Sequence, residues 1–140
     1  MKIYFAGPLF SAAERNWNAA LAAKLRAAGH EVYLPQENEP GKSAPEIFAV
    51  DVEGIGWADC LVAIMDGPDP DSGTAWEVGY AYGKGMPIVL VRTDIRQTSS
   101  GGDGYNAMLA ESATIRVDMP GASIDDLGVG VLAALQQVGE

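Results

Sequence analysis

CLVAIMDGPDPDSGTAWEVGYAYGKGMPIVLVR, residues 60–92, is the stretch on which the fold turns. It begins and ends with unbroken apolar runs, CLVAIM at 60–65 and PIVLVR at 87–92. Neither run alternates with polar residues, so neither reads as a half-solvated strand. This is the pattern of central parallel strands covered on both faces. Between them a Pro/Asp/Gly loop leads into a helical stretch that starts near Ser72.

The same alternation of strand and helix extends outward in both directions. KIYFA at 2–6 is a buried first strand. A helix follows it, opened by a capping box from Ser11 to Glu14, striped by Trp17, Leu21 and Leu25, and stopped by Gly29. EVYLP at 31–35 forms the second strand. QENEPGKSAP at 36–45 reads as a loop, and Ser43, Pro45 and Glu46 start the next helix. Beyond residue 92, TDIRQTSSGGDGY at 93–105 is a Gly/Ser-rich loop long enough to act as a flap or partner contact. TIRV at 114–117 is the fifth strand and residues 123–138 are the closing helix. The expected fold is α/β: a doubly wound, flavodoxin- or Rossmann-like five-stranded parallel sheet with helices on both faces, most simply ordered 2-1-3-4-5. The 140 residues fit a single domain. Ligands of such sheets bind beyond the carboxyl ends of the strands where the order reverses. That crevice would lie between the loops AGPLF and DGPDPDSG.

Composition narrows the chemistry. A formal net charge of -10, with nine scattered basic residues, argues against a nucleic-acid partner. No apolar run reaches the roughly 18 residues of a membrane span, and the N-terminus lacks the features of a signal peptide, so a cytoplasmic protein is expected. With one cysteine, Cys60, and one histidine, His30, an intrachain disulfide, a cysteine metal cluster and Ser-His-Asp or Cys-His catalysis all lack parts. AGPLFS does not fit a dinucleotide fingerprint, and GKS at 41–43 follows a polar loop rather than a strand. Carboxylates, hydroxyls and amides remain.

Two carboxylates break the binary pattern. Asp51 shares a helical stripe with Ile47 and Ile55, where an unpaired acid costs desolvation. Glu77 has Gly73, Thr74, Tyr80 and Ala81 one turn away, and the small residues leave a depression beside it. A helix-edge aspartate reaching solvent and a first-turn glutamate favoured by the helix dipole are the ordinary alternatives. Asp71, at the end of the loop, has the alternative of being an N-cap. Taken together, several acids around one crevice fit glycosyl chemistry, in which one carboxylate attacks or stabilises the anomeric carbon and another protonates the leaving group.

IYFAGPLF at 3–10, DVEGIGWADCLVAIMDG at 51–67 and DPDSGTAWEVGYAYGKGMPIVLV at 69–91 carry a family resemblance, with a weaker echo in YNAML at 105–109. The chain resembles the nucleoside 2-deoxyribosyltransferases. That resemblance implies a retaining, double-displacement transfer of 2-deoxyribose between nucleobases in nucleoside salvage, without a cofactor or metal. It implies Glu77 as the nucleophile on C1′, Tyr4 as the phenol that holds it, and Asp51 and Asp71 as acids near base and sugar, with Asp71 the expected proton donor and Asp51 the alternative. Phe10 and Gln36 match base-stacking and base-contacting positions, and Gly7 belongs to the same first loop; Phe10 in the core and Gln36 as a plain loop amide are the alternatives. Asn106 and Met108 match residues contributed by a neighbouring subunit, which implies a homo-oligomer with a shared site. The partners implied are small-molecule 2′-deoxynucleosides and free nucleobases.

Two rivals remain. The 2′-deoxynucleoside 5′-monophosphate N-glycosidases use a matching glutamate but carry serine at the position of Asp71 and a polar, Arg-bearing first loop. Here that loop reads Pro8-Leu9-Phe10, and a dianionic phosphate beside Asp71 would be repelled. A non-catalytic nucleotide-binding module on the same fold is the second rival.

Overall fold

In the computed structural model, which describes residues 1–96 and 106–139, five strands form one sheet. They are β1 (Lys2–Ala6), β2 (Glu31–Tyr33), β3 (Cys60–Ile64), β4 (Ile88–Arg92) and β5 (Ile115–Asp118). The order is β2-β1-β3-β4-β5, and every pairing is parallel. This is the expected doubly wound arrangement, with the order reversing between β1 and β3. β3 and β4 are buried along their whole length, as two-sided coverage requires.

The helices are α1 (Ala12–Ala27), α2 (Pro35–Asn38), α3 (Ala44–Trp57), α4 (Ser72–Gly83), α5 (Ala107–Ser112) and α6 (Ile124–Val138). Their starts follow local chemistry. Ser11 Oγ accepts from the Glu14 N–H at 3.1 Å, although the returning half of a capping box is not seen there. At α3 it is the Glu46 carboxylate that reaches back, accepting from the Ser43 N–H at 2.7 Å. Gly29 takes the chain out of α1 at φ +92°, a conformation that disfavours any residue with a Cβ.

Two sequence expectations need correction. The polar stretch 36–45 is not loop throughout, because α2 occupies its beginning. Pro35 sits in the first turn, and the Asn38 side chain donates to the Leu34 carbonyl at 2.9 Å. A single turn is too short to show a periodicity. The second omission is α5, again a short helix, whose N-cap Asn106 accepts the Met108 N–H at 2.9 Å. The end of the long loop read at 93–105 lies outside the described residues.

Each face of the sheet carries its own core. On one side Ile3, Phe5, Val62, Val89 and Val91 pack with Leu21 and Leu25 of α1 and Leu127 and Val131 of α6. On the other, Tyr4, Leu61, Ala63 and Leu90 pack with Ile55 of α3 and Val78 and Ala81 of α4. Each large aliphatic side chain so buried contributes about 1.5–3 kcal/mol. The carboxyl ends of β3 and β4 are tied together by polar bonds. Asp66 accepts from the backbone N–H of Thr93 and Asp94 at 2.6 and 2.9 Å and from the Thr93 hydroxyl at 2.7 Å. The buried Arg92 guanidinium donates to the carbonyls of Met65, Gly67 and Arg96. The start of the loop that leads to Asp71 is thereby anchored. No helix among the described residues is long and apolar enough to cross a membrane.

Candidate active site

A cavity of about 340 Å³ lies between α3 and α4, lined by Ile47, Phe48, Asp51, Ile55, Trp76 and Glu77 among others. Three of the sequence-derived residues meet at or beside it, each for a local reason. Tyr4 points to the α3–α4 side because strand residues alternate between faces, and its neighbours Ile3 and Phe5 enter the opposite core. Its hydroxyl, fully buried, donates to Glu77 Oε1 at 2.9 Å. Asp51 comes from the inner stripe of α3 and is buried. It is not unpaired, since the Tyr33 hydroxyl donates toward its Oδ1 at 3.1 Å and also lies 3.0 Å from the Val50 carbonyl.

Tyr4 and Tyr33 are register partners on neighbouring strands. Their rings stack at 5.3 Å with 13° between planes. Tyr33 in turn lies flat against Gly54 of α3, where an added Cβ would come within 2.9 Å of the ring. Glycine at this position is thus required by the close approach of helix and ring.

Asp71 is the N-cap of α4, as one of its readings allowed. Its Oδ2 accepts from the Thr74 N–H at 3.0 Å and from the Thr74 hydroxyl at 3.1 Å. Its negative charge still acts on Glu77.

Burial governs the electrostatics. The Glu77 carboxyl is pushed up from 4.5 to about 8, first by burial; the Tyr4 hydrogen bond opposes this, and the charges of Asp51, Asp71 and Glu39 add to it. The Tyr4 phenol is raised far above its ordinary value by burial and then by the nearby Glu77 and Asp51 charges. Burial also raises Asp51, against hydrogen bonds from Glu39 and Tyr33 and the charge of Lys42. Glu39 is raised by burial and by its hydrogen bond to Asp51. Sequence reasoning passed over Glu39 and Tyr33. Glu39 sat in a stretch read as loop, and Tyr33 was one residue of a short strand; the tyrosines at matching positions of the first two strands were the available signal.

The other sequence-derived residues are placed elsewhere. Gly7 follows β1, where an added Cβ would meet Ile64 at 3.2 Å and the Asn18 amide at 3.4 Å. Gln36 lies in α2 and donates to the Arg15 carbonyl at 2.9 Å while accepting from Asn18 at 3.3 Å. Phe10 is 74% exposed, which removes the core alternative for it. Asn106 and Met108 line a different cavity, of about 610 Å³, together with Val78, Gly79 and Tyr82. Met108 is 82% exposed. Within one chain, then, these two residues are not brought to the cavity of Glu77. Aromatic side chains missed from sequence do reach it: Phe48 and Trp76 meet edge to face at 5.5 Å, and Trp76 stacks on Tyr80 at 5.2 Å. Among the described residues no group of three or more His, Cys, Asp or Glu is placed to hold a metal ion.

Fold and cavity together define a doubly wound α/β protein with a carboxylate–phenol site. Comparison with known proteins gives the family. The nucleoside 2-deoxyribosyltransferase family model matches residues 3–133, and the chain belongs to that family. A conserved protein from Enterococcus faecalis is 32% identical, with a TM-score of 0.76 over 96% of this chain and 98% of the other. A 2-deoxyribosyltransferase from Bacillus psychrosaccharolyticus is 31% identical, with a TM-score of 0.73 over 91% and 90%. A CMP N-glycosidase from Clostridium botulinum shares the fold at 18% identity, with a TM-score of 0.67 over 98% of each chain. Among curated protein sequences no match is found.

Proposed function

We propose that this protein transfers 2-deoxyribose between nucleobases by retaining double displacement, in nucleoside salvage. The observation that carries the reading is the hydrogen bond from Tyr4 to Glu77 at 2.9 Å, in a cavity that Asp51 also lines. The ionised Glu77 carboxylate attacks C1′ of the deoxynucleoside. The C1′–N bond breaks with its electron pair going to the base, a deoxyribosyl ester forms on Glu77, and an acid protonates the departing base. An incoming base then attacks C1′ and gives its proton back, restoring Glu77. Two inversions retain the anomeric configuration. The Tyr4 hydroxyl orients the Glu77 carboxylate and limits the rise of its pKa.

Asp51 is the proton carrier in this reading. Asp71, the residue that sequence reasoning preferred, has one carboxylate oxygen engaged in capping α4, whereas Asp51 lines the cavity together with Glu77. Phe48 and Trp76 give the cavity aromatic walls suited to a planar base. Among the described residues lining the cavity none has a basic side chain, which favours an uncharged nucleoside over a phosphorylated one. The exposure of Asn106 and Met108, outside the cavity of their own chain, supports a homo-oligomer in which they complete the site of a neighbouring copy.

Incubating the protein with deoxyinosine and adenine, and separating the products by chromatography, tests the reading. Deoxyadenosine is the expected product. Free deoxyribose alone, or hydrolysis confined to deoxynucleoside monophosphates, would replace it with an N-glycosidase. No turnover of either kind would leave a binding module.

A further inference from the structure

The Tyr33 hydroxyl lies within hydrogen-bond distance of two acceptors, Asp51 Oδ1 at 3.1 Å and the Val50 carbonyl at 3.0 Å. A phenol carries one hydrogen, so it serves only one of them fully at a time. Which acceptor wins depends on the charge of Asp51. A hydrogen bond to an ionised group is roughly twice as strong as a neutral one, so a carboxylate takes the hydrogen. A protonated Asp51 is the poorer acceptor, and the hydrogen then turns to the amide carbonyl. The phenol oxygen itself has little freedom. Its ring stacks on Tyr4 at 5.3 Å and lies against Gly54, where an added Cβ would come within 2.9 Å. Both acceptors are fixed too, as consecutive residues of α3. Burial, then the Asp51 charge, raises the Tyr33 phenol above its ordinary value, so it keeps its proton in both states. Other groups around the pair are Glu39 and Lys42, which act on Asp51, and Glu39 and Glu53, which act on Tyr33. Across the cavity the Asp51 charge acts on Tyr4 and Glu77.

We infer that Tyr33 is a positioning residue that follows the protonation of Asp51. Its hydrogen rests on the Val50 carbonyl while Asp51 is an acid, and turns to Asp51 Oδ1 as Asp51 gives up its proton. This rests on the transferase reading above. In the first half-reaction the Asp51 carboxyl proton passes to the base nitrogen, which takes the electron pair of the breaking C1′–N bond. The C1′–O bond to Glu77 forms in the same half-reaction. The carboxylate left on Asp51 is met by the phenol hydrogen, through rotation about the Tyr33 Cζ–Oη bond. No bond of the phenol breaks, and no heavy atom has to move. In the second half-reaction the incoming base loses its proton to Asp51, and the phenol hydrogen turns back. Tyr33 thus favours the charged form of Asp51 over the neutral one, the sense in which its hydrogen bond opposes burial there. Without it Asp51 would be a weaker acid and a stronger base, so the two half-reactions would respond in opposite senses.

The test is Tyr33→Phe, read by kinetics and by 13C NMR. In a ping-pong exchange kcat/KM for deoxyinosine reports the first half-reaction and kcat/KM for adenine the second. The first is expected to fall about three- to tenfold, with its alkaline limb moved up by about half to one pH unit. The second should not fall. Equal losses in both, with an unmoved limb, would assign Tyr33 to packing alone and overturn the inference. The NMR arm needs no turnover. With 13C in the Val50 carbonyl and the Asp51 carboxyl, both carbons should titrate in one step in the wild type. The Val50 step should be absent from Asp51→Asn and should shrink in Tyr33→Phe to what the Asp51 charge alone produces. Coincident steps in a protein that shows no exchange support the turning hydrogen, and the failure then falls on the transferase reading. A Val50 carbon that stays constant while Asp51 titrates, or that shifts as far in Tyr33→Phe as in the wild type, overturns the inference. Should Tyr33→Phe fail to fold, the wild-type and Asp51→Asn spectra decide.

Discussion

The two faces of the sheet are built differently. Toward α1 and α6 the core is aliphatic and aromatic hydrocarbon: Ile3, Phe5, Leu21, Leu25, Leu127 and Val131 close on one another. Toward α3 and α4 the same strands present Tyr4 and Tyr33 to a helix that carries Asp51 inward and another that carries Glu77. The first face buries apolar surface; the second replaces part of that burial with phenols and carboxyls whose charged forms are disfavoured by their surroundings. Stability and chemistry are thus divided between opposite sides of one layer of strands, and substitutions on the two sides should separate them.

The largest separation is expected at Glu77. Glu77→Gln should lower exchange by about 10⁴-fold or more, as removal of a covalent nucleophile does, while raising thermal stability. A carboxyl raised from 4.5 to about 8 binds a proton in the folded state that the unfolded chain has lost. Stability from this group therefore falls as pH rises through that window, and a neutral amide escapes the fall. Thermal melts of wild type and variant should diverge progressively from acid to mildly alkaline pH; curves that stay parallel would contradict the burial of this group. On the opposite face Leu25→Ala should cost about 2–5 kcal/mol in urea unfolding and leave kcat of the folded fraction near wild type. A drop in kcat to match would show that the faces are not independent.

Gly54→Ala sits on the border between scaffold and site. The new methyl would meet the Tyr33 ring at 2.9 Å, and a cost of about 1–3 kcal/mol is expected from overpacking, with lower activity because Tyr33 also holds Asp51. Restoring activity by a smaller residue at 33, with stability recovered, would confirm the steric cause. The smallest effect is expected of Tyr4→Phe, about tenfold in kcat/KM, from losing one hydrogen bond to a carboxylate. That bond lowers the Glu77 pKa, so the acid limb of the pH profile should move to higher pH; a limb that stays put would assign Tyr4 to packing alone.

The readable and the hidden parts of this molecule differ in how far apart in sequence their causes lie. Apolar runs at 60–65 and 87–92 and the stop at Gly29 are local signals, and strand order followed from them. Asp51 and Glu77 stood out because each violates the pattern of its own helix. Glu39 violates no pattern, being one polar residue among several. Its electrostatic influence on Asp51 and Glu77 depends on where the turn of α2 places it. Tyr33 looked like an ordinary strand residue for the same reason. α2 and α5 are too short for any periodicity to register. The Asp66–Thr93 and Arg92–Gly67 ties join segments more than twenty residues apart, and nothing in either segment announces the other.

The pairing of Tyr4 with Tyr33 has a geometric consequence. One phenol holds Glu77 and the other holds Asp51, and the two phenols are neighbours across adjacent parallel strands. The spacing of the Glu77 and Asp51 carboxyls is thereby tied to the repeat of the sheet itself, about 4.8 Å from strand to strand. Helices α3 and α4 can drift or be redesigned while that repeat stays constant. A one-residue slip of β2 would turn Tyr33 to the other face altogether. The working distance of the site is therefore a property of backbone pairing, and among the features of this protein it should be the slowest to change.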